Sequence, residues 1–107
     1  MASIKIYLID SGLSRALILL ATIYHDFNDR LSAAETYRTA SAACIEQRGI
    51  NAPVCYRLNL TIGEFFIEEN EISEAYVYLQ QSYDAMRLIL EPGHPQLIKV
   101  QELLGKS

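Results

Sequence analysis

The sequence has no tryptophan, five glycines, three prolines, two cysteines and two histidines in 107 residues. Each shortage excludes something. So few Gly and Pro leave little material for long loops, low-complexity linkers or collagen-like segments. No Gly-rich phosphate-binding loop is present. Two His (His25, His94) and two Cys (Cys44, Cys55) do not fall at zinc-ligand spacing, so no metal or cofactor is implied. The nine basic residues are scattered singly against thirteen acidic ones, and the formal charge is −4. That balance weighs against nucleic acid, whose binders cluster Lys and Arg on phosphates. Long hydrophobic runs are missing too. The longest apolar stretch, Ala16 to Tyr24, is interrupted by Thr22 and falls far short of the roughly 20 residues that cross a bilayer. The opening MASIKIYLID has one Lys and neither an adequate apolar stretch nor a cleavage site, so it does not read as a signal peptide. The cysteines fit a reducing compartment, where a free thiol packs as a small hydrophobe, with a bond between them as the alternative. A soluble cytoplasmic protein that binds neither membrane nor nucleic acid is the expectation.

What is present is apolar and helix-prone. Half of the residues are apolar and 21% are charged, the composition of a packed globule rather than a disordered tail. The sequence also repeats. A shift of 42 residues brings Ala21 onto Gly63 and then Gly105, Tyr24 onto Phe66, Asn28 onto Asn70, Ala33 onto Ala75, and Pro53 onto Pro95. Leu20, Ile62 and Leu104 align in the same register, as do Arg15, Arg57 and Lys99. One such pair is coincidence; ten in one register define a repeat.

Each unit reads as two helices. Leu17, Leu20, Ala21 and Tyr24 recur at three- and four-residue spacing, and so do Ile62, Phe65 and Phe66. Asn28 and Asn70 follow these helices and suit the left-handed residue that ends one. Second helices are predicted to start near the N-capping residues Ser32 and Ser73. One carries Ala33, Ala34, Tyr37, Ala40 and Ile45 up to Gly49. The other carries Ala75, Tyr76, Leu79, Tyr83, Met86 and Leu90 up to Pro92-Gly93. Pro53 and Pro95 stand where new helices open, a place where the missing N–H costs nothing. Tyr37, Tyr76 and Tyr83 are assigned to apolar faces.

These residues resemble the tetratricopeptide repeat. Its Leu-Gly pair, aromatic, Ala, bulky residue and small residue correspond to Ile62-Gly63, Phe66, Ala75, Leu79 and Ser82, and to Leu20-Ala21, Tyr24, Ala33, Tyr37 and Ala40. The large residue that opens the pattern is weak here, at Leu17, Asn59 and Gln101. The length of the repeat and the run Leu90-Glu91-Pro92-Gly93-His94-Pro95 are similar to the 42-residue variant in kinesin light chain. They are also similar, more weakly, to the helical C-terminal lobe of SET-and-MYND lysine methyltransferases. The resemblance implies an all-α fold, an antiparallel helix-pair (TPR-like) right-handed superhelical stack of about two and a half repeats. Within one domain, residues 1–12 would be an N-terminal extension, 13–52 and 53–94 the two repeats, and 95–107 the first helix of an incomplete third.

The resemblance further implies a concave groove lined by the first helix of each pair. Projected from the repeat register, Arg15, Ile18, Leu19, Thr22, His25 and Asp26 face it, followed by Arg57, Leu60, Thr61, Glu64, Ile67 and Glu68, and then by Lys99, Glu102 and Leu103. Arg15, Arg57 and Lys99 would form a positive rim opposite the acidic Asp26, Glu64 and Glu68, unless all are simply solvated charges. The Lys and Asn with which some family members grip a chaperone carboxylate are absent, since those positions hold Ile18, Thr22 and Thr61. His94 before Pro95 reads as a turn and cap residue. His25 beside Asp26 or Glu64 lacks a nucleophile or electrophile to work with. The function expected is therefore non-catalytic: a protein-interaction module that binds an unidentified protein or peptide. Because a solenoid unit cannot bury its apolar face alone, self-association through Ile98, Val100, Leu103 and Leu104, or through Ile4, Ile6, Leu8 and Ile9, is also expected. A structural oligomerisation domain and the accessory lobe of a larger enzyme are the alternatives.

Overall fold

In the computed structural model, residues 13–106 form five helices with no strand among the described residues: α1 (Leu13–Asp26), α2 (Arg30–Arg48), α3 (Pro53–Glu68), α4 (Ile72–Ile89) and α5 (Pro95–Lys106). The expectations for Ile4, Ile6, Leu8 and Ile9 fall outside the described residues. The protein is all-α, and no described helix is long and apolar enough to cross a membrane. Contacts divide the chain into one unit ending at Gln47 and another running from Arg48.

The first unit is α1, a three-residue turn, and most of α2. The turn is set by Asn28, whose φ is 61°. Asn28 N–H donates to His25 O at 3.0 Å and Asp29 N–H to Tyr24 O at 2.8 Å. This pair of bonds closes a helix through one left-handed residue, a conformation that Asn tolerates because its short polar side chain bonds locally. Asp29 then opens α2, its Oδ1 accepting from Ser32 N–H at 3.2 Å. Ser32 therefore lies inside the first turn instead of capping it, because the preceding turn is too short to reach it. Ala21, Ala33 and Ala40 are fully buried and Tyr37 nearly so. α2 ends at Arg48, and Gly49 follows with φ 90°, a value that suits glycine.

The second unit repeats the local design. Asn70 also has φ 61°, with Asn70 N–H on Ile67 O at 3.0 Å and Glu71 N–H on Phe66 O at 2.8 Å. Glu71 opens α4 without a side-chain cap, and Ser73, expected to cap, is again inside the helix. Pro53 is the first residue of α3 after an extended Ala52, and Pro95 the first of α5. Here His94 takes the capping role, its Nδ1 accepting from Gln96 N–H at 3.1 Å.

The core of this unit is built on α3 and α4, which pack closely, with α5 against α4. Ala75, Leu79, Ser82 and Met86, spaced as one face of α4, are all fully buried. Gly63 lets that face approach, since a Cβ there would collide with the Leu79 side chain. Ser82 Oγ donates to Tyr56 O at 2.7 Å across the same interface. Phe66 stacks on Tyr78 with ring centroids 5.7 Å apart and meets Phe65 edge-on at 5.1 Å. Tyr76, assigned to an apolar face from spacing, is instead half-exposed, and Tyr78 does the packing. Burying each large apolar side chain of this set contributes about 1.5–3 kcal/mol.

Candidate binding surface

The α3 face is the most fully defined of the surfaces expected to bind. Arg57, Thr61, Glu64 and Glu68 recur at three- and four-residue spacing, so they form one stripe along the helix. Arg57, Thr61 and Glu68 are exposed and Glu64 is partly so. Thr61 Oγ1 donates back to Arg57 O at 3.2 Å, which fixes its rotamer and leaves the hydroxyl oxygen free to accept. Lys99 reaches from α5 to Glu64 Oε2 at 3.1 Å. The pair is solvent-accessible on both sides, so it contributes little to stability. Its effect is on the charge pattern: Lys99 is matched to a carboxylate and does not extend a row of unmatched cations from Arg57.

Two expectations fail at this surface. Leu60 is only 6% exposed, and so belongs to the core rather than to a groove lining. The reason is that the first half of α3 is covered on more than one side: Cys55, Tyr56, Leu58, Asn59 and Leu60 are all buried. Val100, expected to stand open for self-association, is fully buried together with Leu97. Of the four C-terminal residues expected to mate, Ile98 is exposed, while Leu103 and Leu104 are half-buried. Ile67 is half-buried and Glu102 exposed.

Asn59, the weak opening residue of the repeat pattern, is a functional-looking polar residue that proves structural. It is 1% exposed, and its Nδ2 donates to Gln81 Oε1 of α4 at 3.5 Å. A buried amide needs such partners, since leaving one unmatched costs about 1–3 kcal/mol.

In the first unit, Arg15 lies in the opening turn of α1. Ile18 and His25 are half-buried, and Leu19, Thr22 and Asp26 are exposed. Thr22 Oγ1 donates to Ile18 O at 2.9 Å. A shallow cleft of about 260 Å³ separates α1 from α2, lined by Leu17, Tyr24, Ser32, Glu35, Thr36 and Thr39. It is smaller than the usual range for small-molecule sites, roughly 300–1,000 Å³. Two of its hydroxyls are already committed: Thr36 Oγ1 donates to Ser32 O at 2.7 Å and Thr39 Oγ1 to Glu35 O at 3.0 Å.

Among the described residues no group of three or more His, Cys, Asp or Glu side chains is placed to hold a metal ion. The cysteines correct the sequence reading. Cys44 and Cys55 are both disulfide-bonded and neither is free. Both are buried, so the apolar setting expected of them is right and the thiol state is not.

No protein-family model matches the chain, and no curated protein matches it significantly.

Proposed function

We propose that the chain is a non-catalytic protein-interaction module, a tetratricopeptide-like stack that presents the α3 stripe of Arg57, Thr61, Glu64 and Glu68 to a protein or peptide partner. One observation carries the reading. The two units repeat the same turn, 42 residues apart, down to the φ of Asn28 and Asn70 and the bond lengths around them. Helix starts recur at the same offset, at Arg30 and Ile72 and at Pro53 and Pro95. Helical pairs repeated in register are the construction of interaction solenoids. The exposed guanidinium of Arg57 fits a partner with an acidic group.

The test is capture by the immobilised chain with Arg57→Glu as the variant and Glu46→Arg, an exposed position on α2, as the control. A protein retained by the wild type and by the control, but lost with Arg57→Glu, is the expected result. Equal retention by all three chains would refute the α3 stripe as the binding surface.

A second reading, assembly with copies of itself, is favoured by a specific observation. Leu19, Ile23, Phe27 and Leu31 of the first unit are each more than half exposed. The disulfide bears on location: it withdraws the argument for a reducing compartment and favours an oxidising one, where such bonds persist.

A further inference from the structure

α1 and α3 carry the same residue pattern and treat it differently. In α3, Leu58, Ile62 and Phe65 are buried, at 3%, 0% and 5% exposure. Their counterparts 42 residues earlier are Ala16, Leu20 and Ile23. Ala16 is exposed, Leu20 is 40% exposed and Ile23 51%. Leu19 and Phe27 widen and lengthen this stripe at 64% and 80%, and Leu31, just past the turn, stands at 83%. Leu20 and Ile23 are large apolar residues at positions that the sister helix buries, left in the open, while Leu19, Phe27 and Leu31 stand where the second unit has Thr61, Glu69 and Ser73.

We propose that this stripe is the contact through which a second copy of the chain docks, α1 against α1 about a twofold axis. The proposal rests on the reading that the chain binds proteins, itself included, and moves self-association from the C-terminal residues, where Val100 is already buried, to α1. Two features select a second copy as the occupant. The first is area. The six residues together leave on the order of 500 Å² open, so a twofold pair removes about 1,000 Å², the lower bound for a specific interface. The second is charge. An isologous contact sets each patch against itself, so any net charge on it is self-repelling. From Ala16 to Tyr24 there is no charged residue, and at the far end Asp26, Asp29 and Arg30 flank Phe27 and Leu31 with both signs. The uncharged part from Ala16 to Tyr24 is indifferent to its own copy electrostatically and gains from it by apolar burial.

The experiment is sedimentation velocity on the full chain from about 1 to about 100 µM, with Phe27→Asp, Ile23→Glu and Arg57→Glu as variants. Phe27 is exposed enough in the monomer that its replacement leaves folding intact, which far-UV circular dichroism and a dilute-sample melt check. The expected result is a dimer at the upper concentrations, weakened at least about tenfold by Phe27→Asp and unchanged by Arg57→Glu. A monomer throughout overturns the proposal. So does a dimer indifferent to both α1 variants. So too does a monomer whose dilute melt falls with Ile23→Glu, which would mean that the chain covers the stripe itself. The capture experiment on Arg57 is read independently, so failure of the dimer and failure of the binding reading remain separate.

Discussion

Gly63 and Leu79 share a space with room for only one of their two side chains. A Cβ on Gly63 would occupy the position of the Leu79 side-chain carbons, and Leu79 is fully buried in α4.

The exchange Gly63→Ala is therefore expected to destabilise the chain by about 1–3 kcal/mol, although Ala normally favours a helix over Gly. Gly63→Leu should cost at least as much. Combining Gly63→Ala with Leu79→Ala should cost less than the two single changes added together, because the new methyl fills part of the space that Leu79 vacates. Urea unfolding followed by circular dichroism measures all of these. A neutral Gly63→Ala would mean that α3 and α4 do not approach as closely as described.

Ser82→Ala removes the bond from Ser82 Oγ to Tyr56 O and should cost about 0.5–1.5 kcal/mol. Ala75→Leu, at a fully buried position on the same face, should cost about 1–3 kcal/mol by overpacking. The same unfolding experiment reads both.

The two helix pairs differ at their caps, and the difference can be repaired. Asp29 caps α2, whereas Glu71, at the equivalent place before α4, supplies no side-chain cap. Glu71→Asp is expected to raise stability by about 0.5–1 kcal/mol, seen as a higher melting temperature. Asp29→Ala should lower stability by about 1 kcal/mol.

His94 caps α5 through Nδ1. His94→Ala should cost about 0.5–2 kcal/mol, and His94→Asn, whose side-chain oxygen reaches the same N–H, should recover most of the loss. Loss without recovery in the thermal melts would assign His94 some other role.

With Cys44 and Cys55 disulfide-bonded, the unfolded chain should show no reactive thiol until a reductant is added. Reduction should then lower stability by about 2–4 kcal/mol, the usual effect of opening such a bond. Thiols titrating freely without reductant would contradict the structure.

Much of the fold is legible in the residues because its boundaries are marked by chemistry with one good reading. Pro53 and Pro95 open helices, Gly49 follows one, and Asn28 and Asn70 end two in the left-handed conformation. Ser32 and Ser73 are attractive caps in isolation, and only the tightness of the turns gives that task to Asp29 and leaves α4 without it. Register alone places Leu60 and Val100 at the surface, because periodicity identifies one apolar face per helix, whereas α3 buries residues over a wider arc and α5 packs against α4. Tyr76 and Tyr78 are two residues apart and both aromatic, so spacing alone did not decide which would face Phe66. For the binding stripe, the residue types were readable but the Lys99–Glu64 pairing was not, since it joins groups 35 positions apart through packing.

The Asn turns also govern where the chain can change length. From Ile67 to Glu71 successive backbone groups are joined by short bonds around a single left-handed residue, so one inserted residue would break the closure and turn α4 away from α3. The connection from Leu90 to His94 has slack: Glu91, Pro92 and Gly93 are exposed, and nothing lies within 4 Å of a Cβ at Gly93. Insertions, affinity tags and loop extensions belong there, while the turn at Asn70 keeps a fixed length.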